Sequence, residues 1–260
     1  MKAKPLCPRW LFISASCLAL ACISTHCLAQ PSAAPAPSML QVIVTTVKPD
    51  MMRDYTELLK NEVTPALKKA GVPWRAVWQT AVFGDTYQFV SVTPIEKFAQ
   101  YDSPSPLVRA LGQDGAARLL EKISRCVTST HFYAEVFRRD LSIIKDTQEP
   151  PKIATVSRFR VPTGKGPEFE NFIKTEILPV LKKADIGGYL VHQVAFGGSG
   201  NDWVILTLYN KFADFDGGPL LLRLLGQEGF NKFLAKASGL ATQLESSVQR
   251  YNTELSYSTP

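Results

Sequence analysis

Two stretches decide the fold: RALGQDGAARLLEKIS at residues 109–124 and RLLGQEGFNKFLAKAS at residues 223–238, which echo each other at an offset of 114. Sliding the chain against itself by that offset aligns 42–142 with 156–256 without a gap and leaves 31 identities in 101 positions. KNEVTPALKKA (60–70) matches KTEILPVLKKA (174–184), and KFAQYD (97–102) matches KFADFD (211–216). The period is far longer than the roughly 20–50 residues of stacked solenoid repeats, so the chain carries one unit twice.

Each copy reads in the same order. A β-branched run of strand length opens it, at 40–47 and at 153–161. Tyr55, Leu58, Leu59, Val63, Ala66, Leu67 and Ala70 then recur at spacings of three and four, as do Phe169, Phe172, Ile173, Ile177, Val180, Leu181 and Ala184. Each set predicts a helix with one apolar face. Pro65 and Pro179 fall at the same point inside these helices, where the missing backbone donor predicts a bend. Strands at 74–83 and 87–93 flank Gly84-Asp85, and strands at 189–196 and 203–208 flank GGSGND, giving a hairpin in each copy.

The opening stretches supply a second helix, broken by Gly112 and Gly226 into a short and a longer piece. A last strand near 131–138 and 247–255 completes a βαββαβ unit. Its antiparallel sheet carries both helices on one face, and the opposite face is left for the second copy to cover. The organisation expected is therefore a first repeat at 39–142, a linker at 143–152 with charges and two prolines, and a second repeat at 153–258.

Residues 1–29 read as an export signal: Lys2, Lys4 and Arg9 precede an apolar run at 10–23 and a small-residue site at Cys27-Leu28-Ala29, with cleavage expected after Ala29. The run is shorter than the roughly 20 residues of a membrane-spanning helix, so no stable membrane span is expected. Lipidation at Cys22 is the lesser alternative, since Ala19 stands where a lipoprotein box has leucine. A Pro/Ala-rich tether follows at 30–38. The expected location is periplasmic or secreted.

Loss of the three basic residues in 1–29 lowers the formal charge from +6 to +3, with no long basic run, which argues against nucleic acid as a partner. Four of the five cysteines lie in the signal, leaving Cys126 without an intramolecular disulfide partner. Its equivalent in the second copy is Leu240, the mark of a buried structural thiol.

This pattern resembles the dimeric α+β barrel superfamily, in its NIPSNAP-like and antibiotic-biosynthesis-monooxygenase-like branches. The residues that carry the resemblance are VKPDMMRDYTELLKNEVTPALKKAG (47–71) with VPTGKGPEFENFIKTEILPVLKKAD (161–185), and the LGQDG and LGQEG blocks. The resemblance implies an α+β fold in which two tandem ferredoxin-like βαββαβ units form an intramolecular barrel, with antiparallel sheets face to face and helices outside. It implies little about reaction, because the superfamily hosts oxygenases, haem-degrading enzymes and peroxidases. Haem-binding members use a placed histidine, and here His131 and His192 have Glu245 and Trp78 as partners at the offset, so a symmetric two-histidine site is excluded.

Strand alternation assigns Ile43, Thr45 and Phe159 to the helix-covered face, and Val42, Val44, Thr46, Val156, Arg158 and Arg160 to the barrel interior. An inward arginine must meet water at the barrel mouth, an acid or an anionic ligand. The hairpin strands align Trp78 with His192, Gln79 with Gln193, Phe89 with Trp203 and Thr93 with Thr207. Such a mixture suits a small-ligand pocket, and the alternative reading is inter-sheet packing with a few satisfied hydrogen bonds.

The candidate ligand-binding residues are thus Arg158, Arg160, His192, Gln193, Trp203, Thr207, Trp78 and Gln79. His192 is a candidate base, with no acid placed by motif to work with it. No Walker loop, GxGxxG, HExxH or CxxC occurs, so no cofactor and no metal are expected. The expected function is binding of a small molecule in the barrel interior. The alternatives are a cofactor-independent monooxygenase-like enzyme and a structural or interaction module, in a monomeric pseudo-dimer or a higher homo-oligomer.

Overall fold

In the computed structural model, which describes residues 39–145 and 149–259, the duplication is visible strand by strand. The expected export signal and tether, and part of the linker, lie outside the described residues. The first copy comprises β1 (Met39–Val47), helix α1 (52–69), β2 (Trp74–Thr80), β3 (Gln88–Ile95), α2 (Pro106–Cys126) and β4 (Val127–Phe137). A two-residue strand, β5 (Ile143–Ile144), follows within the expected linker. The second copy comprises β6 (Ile153–Arg160), α3 (166–181), β7 (Gly188–Phe196), β8 (Asp202–Tyr209), α4 (Leu220–Ala237), β9 (Thr242–Tyr251) and β10 (Tyr257–Ser258).

The strands pair in the order β2-β3-β1-β4-β7-β8-β6-β9, and β9 returns to β2, so eight antiparallel strands close a barrel. The sheets therefore face one another and are also hydrogen-bonded along both edges, which leaves no free edge in the ring. The two seams repeat at the offset: Phe137 opposes His192 and Val136 opposes Gln193, while Tyr251 opposes Trp78 and Arg250 opposes Gln79. The short strands follow the same rule, with Ile143 against Tyr189 and Tyr257 against Arg75.

Strand β4 starts before the expected His131 and β9 before Ser247, because their partners set the length. Val47 opposes Val127 and Arg160 opposes Thr242, so ladder bonding extends the strands through polar residues that show no alternation of their own.

Both first helices wind as π-helix at Leu59–Val63 and Ile173–Ile177, just before Pro65 and Pro179. The wider turn absorbs the absent proline N–H, and the residues bounding both π segments stay in the right-handed helical region. In α2 and α4 the first glycine of the repeated block leaves the helix: Gly112 adopts φ 73° and Gly226 φ 68°. A β-carbon would strain that conformation, which is why both copies place glycine there.

Helices cover the outside of the barrel. Tyr55, Leu59 and Val63 of α1 bury against Val77 and Phe89, and Phe169, Phe172 and Ile173 of α3 bury against Val191 and Trp203. Each core is completed by the other copy. Leu141, just after β4, lies in the second copy's core, and its equivalent Leu255 lies in the first copy's, both fully buried. The Ser142 and Ser256 hydroxyls accept from the Val191 and Val77 amides at 3.0 and 2.8 Å, one exchange repeated at the offset.

Cys126 is buried with its Sγ 3.4 Å from the Lys122 carbonyl oxygen, and burial pushes the thiol pKa up. No helix among the described residues is long and apolar enough to cross a membrane.

Candidate functional site

The barrel encloses a cavity of about 190 Å³. Part of its wall is aliphatic, from inward residues such as Val42, Val44, Val90, Val156, Val204 and Leu206, in agreement with the alternation read on β1 and β6. Polar side chains interrupt this wall, and among them His192 pairs with Glu135, Arg158 with Tyr133, and Gln249 with Ser247.

His192 projects inward from β7. Its Nδ1 lies 2.9 Å from Glu135 Oε2 on the neighbouring strand β4, and the two residues are only 6% and 3% exposed. The contact admits one tautomer in which a carboxylate oxygen accepts the Nδ1 hydrogen, and in a neutral ring of that tautomer Nε2 is the acceptor nitrogen. Among the described residues Nε2 has no hydrogen-bond partner, and it is not among the sealed unpaired atoms. Phe137 packs edge-on against the imidazole at 5.4 Å and fixes its plane. An acid does therefore stand beside His192, which motif reading alone did not place.

Arg158 projects inward from β6. Its Nη1 donates to the Tyr133 hydroxyl at 3.2 Å, and its guanidinium carbon lies 4.7 Å from the centre of the same ring. The solvent side of the cavity is bordered by Asp85 and Glu245, both exposed.

The structure brings Trp78, Arg158 and His192 to one cavity and sends the other five predicted residues elsewhere. Successive residues of a strand point to opposite faces, so with Trp78 and His192 inside, Gln79 and Gln193 face outward. Gln193 donates to the Gly200 carbonyl of its own hairpin at 2.9 Å. By the same alternation Val204 and Leu206 enter the cavity, and Trp203 and Thr207 face the helices; Trp203 is 1% exposed and stacks edge-on with Phe169. Arg160 leaves the interior at the strand end, where its guanidinium pairs with both carboxylate oxygens of Asp202.

The residues that sequence reasoning missed are Glu135 and Tyr133. A signal for them existed: they sit two apart on one strand and share a face, and their equivalents at the offset are Gln249 and Ser247. Among the described residues no group of three or more His, Cys, Asp or Glu side chains is arranged to hold a metal ion.

No family model and no curated protein matches the sequence. Solved structures do match the fold. An anthrone oxidase-like protein aligns with a TM-score of 0.57 at 13% identity, over 85% of this chain and 93% of that one. A monooxygenase candidate from Fusobacterium nucleatum gives 0.54 at 12% identity over 84% and 93%, and one from Lactobacillus acidophilus gives 0.52 at 8% over 85% and 95%. The chain shares the fold of these proteins, an antiparallel α+β barrel, here closed within one polypeptide.

Proposed function

We propose that the chain binds one small organic molecule in the barrel cavity and presents it to Nε2 of His192. The observation that carries this reading is the buried His192–Glu135 pair. Burying two such groups is unfavourable unless each is satisfied; Glu135 satisfies Nδ1, and Nε2 is left unsealed as a hydrogen-bonding position for whatever fills the cavity. The equivalent positions of the other copy hold Trp78 and Gln249, with Trp78 packed edge-on to Tyr251 at 5.0 Å as His192 is to Phe137. The barrel closes there without a histidine, so closure does not require this one.

A carboxylate-oriented imidazole with a free Nε2 is also equipped to take a proton from a bound acidic O–H or C–H. That supports a second reading, oxygenase-type chemistry opened by proton removal, to which the names of the fold neighbours lend support. Export from the cytoplasm, read from residues 1–29, belongs to the same proposal.

The test is a variant that makes the two halves alike. His192→Trp with Glu135→Gln installs the pair already accommodated at Trp78 and Gln249, so the barrel is expected to fold. Native mass spectrometry of the purified wild type is expected to show one bound small mass per chain, absent from the double variant. A bare mass for both, with no ring-sized compound raising the melting temperature of the wild type, overturns the binding reading. Oxygen uptake with resorcinol-class phenols that depends on His192 supports the second reading, and its absence removes it.

A further inference from the structure

We infer that the molecule held in the barrel is a ring-sized carboxylic acid, with Arg158 as its counter-ion; this rests on the binding reading above. A guanidinium offers five N–H donors, and Arg158 spends one of them, on the hydroxyl of Tyr133. Its position in the wall makes this unusual. In strand register Arg158 stands directly opposite Glu245 on β9, within easy reach of an ion pair, yet it forms none and points toward Tyr133 instead. The neighbouring cations are committed: Arg160 to Asp202, and Arg138 to Glu170 and Asp140. Arg158 is thus the cavity arginine with unspent donors among the described residues.

The equivalent of Arg158 is Val44, so the barrel forms without a charge at this place. A half-buried guanidinium held by a phenol gains when a carboxylate replaces that partner, because two parallel charge-assisted bonds then form. The carboxylates around the cavity limit where that anion can sit. Glu135 is engaged by His192, Asp85 stands at the exposed mouth, and Glu245, the cross-strand neighbour of Arg158, is exposed to solvent that screens it, so Arg158 is the attractive position for an acid.

The register also places Arg158 and His192 on one stretch of wall. Arg158 and His192 both oppose Val204, one from each side, so their backbones lie two strands apart, about 10 Å. A ring lying over Val204 reaches Arg158 with its carboxylate and His192 Nε2 with a hydroxyl on the far edge. The other half supplies the row Val44, Val90 and Trp78, an apolar surface for the ring. A dry cavity of about 150 Å³ holds benzene, so about 190 Å³ suits one ring with small polar substituents.

Calorimetric titration of the full chain with 4-hydroxybenzoate, benzoate, benzyl alcohol and benzylamine tests the inference. One acid per chain is expected, bound about 10- to 100-fold more tightly than benzyl alcohol. Arg158→Val, which installs the residue of the equivalent position, is expected to erase that preference while leaving benzyl alcohol binding and the melting temperature near wild type. Arg158→Lys is expected to recover part of it, and Arg160→Gln to change nothing. Benzyl alcohol or benzylamine binding as tightly as the acids, or acid binding that survives Arg158→Val, overturns the counter-ion role and leaves barrel binding standing. Failure of all four probes together with a bare mass overturns both.

Discussion

The two copies share most of their strand register and even a surface ion pair, yet they bury different polar groups. Lys122 pairs with Glu62 in one and Lys236 with Glu176 in the other, each at 2.9 Å. Beneath α1, however, the first copy buries Arg75, which donates to Ser91 Oγ at 2.7 Å and Thr64 Oγ1 at 3.2 Å. Burial pulls that guanidinium's pKa below its ordinary value. The second copy fills the same three positions with Tyr189, Ile205 and Leu178. In the barrel interior the second copy contributes Arg158 and His192 where the first contributes Val44 and Trp78, while the first contributes Glu135 and Tyr133 where the second contributes Gln249 and Ser247. A polar residue whose equivalent is apolar cannot be required by the fold, because the same fold is built without it 114 residues away. Internal duplication thus acts as a control for which interior charges serve the architecture.

The two helix–sheet cores offer the largest way to break this comparison. Phe89→Ala and Trp203→Ala remove equivalent buried rings, 2% and 1% exposed, and each is expected to cost about 3–5 kcal/mol in urea unfolding. Both variants should unfold in one transition, because Leu141 and Leu255 lock each core with the other copy's residue. Two separate transitions would mean that the copies are independent domains.

A smaller effect separates the copies in acid. On one side of the barrel Arg138 binds both Glu170 and Asp140, and its hydrogen bond is the main reason that the Glu170 carboxyl is held below the usual range and that of Asp140 is pushed down to about 2. At the equivalent place stand Asn252 and a single exposed pair, Lys60–Glu254. Carboxyls with depressed folded-state pKa values stabilise the fold above their unfolded values near 4, and that contribution is lost as the pH falls toward about 2. Arg138→Met is therefore expected to flatten the fall in melting temperature between pH 5 and pH 2, and Lys60→Met to leave it nearly unchanged. The smallest effect should be symmetric: Lys122→Ala and Lys236→Ala should each cost about 0.2–1 kcal/mol and converge on wild type in high salt.

Much of the fold was legible because it rests on short-range signals. The offset of 114 defined the two units, Gly112 and Gly226 marked the helix breaks, and alternation put Val42, Val44, Val156 and Arg158 inside. The site was legible only in part. Pairing identical residues across the copies drew in Gln79, Gln193 and Thr207, although alternation along their own strands turns them away from the cavity that holds Trp78, His192 and Leu206. Glu135 escaped notice because the run TSTHFYAE (128–135) has no clean period of two and its partner lies 57 residues away.

The amino-acid sequence by itself determined the elements, their order, their duplication and the face on which most strand side chains lie, since periodicity and glycine placement act within a few residues. The tertiary structure alone decided the closure of the barrel at both seams, the exchange of Leu141 and Leu255 between cores, and the pairing of His192 with Glu135 and of Arg158 with Tyr133. Those contacts join residues from different copies, and their geometry exists only once β4 meets β7 and β9 meets β2.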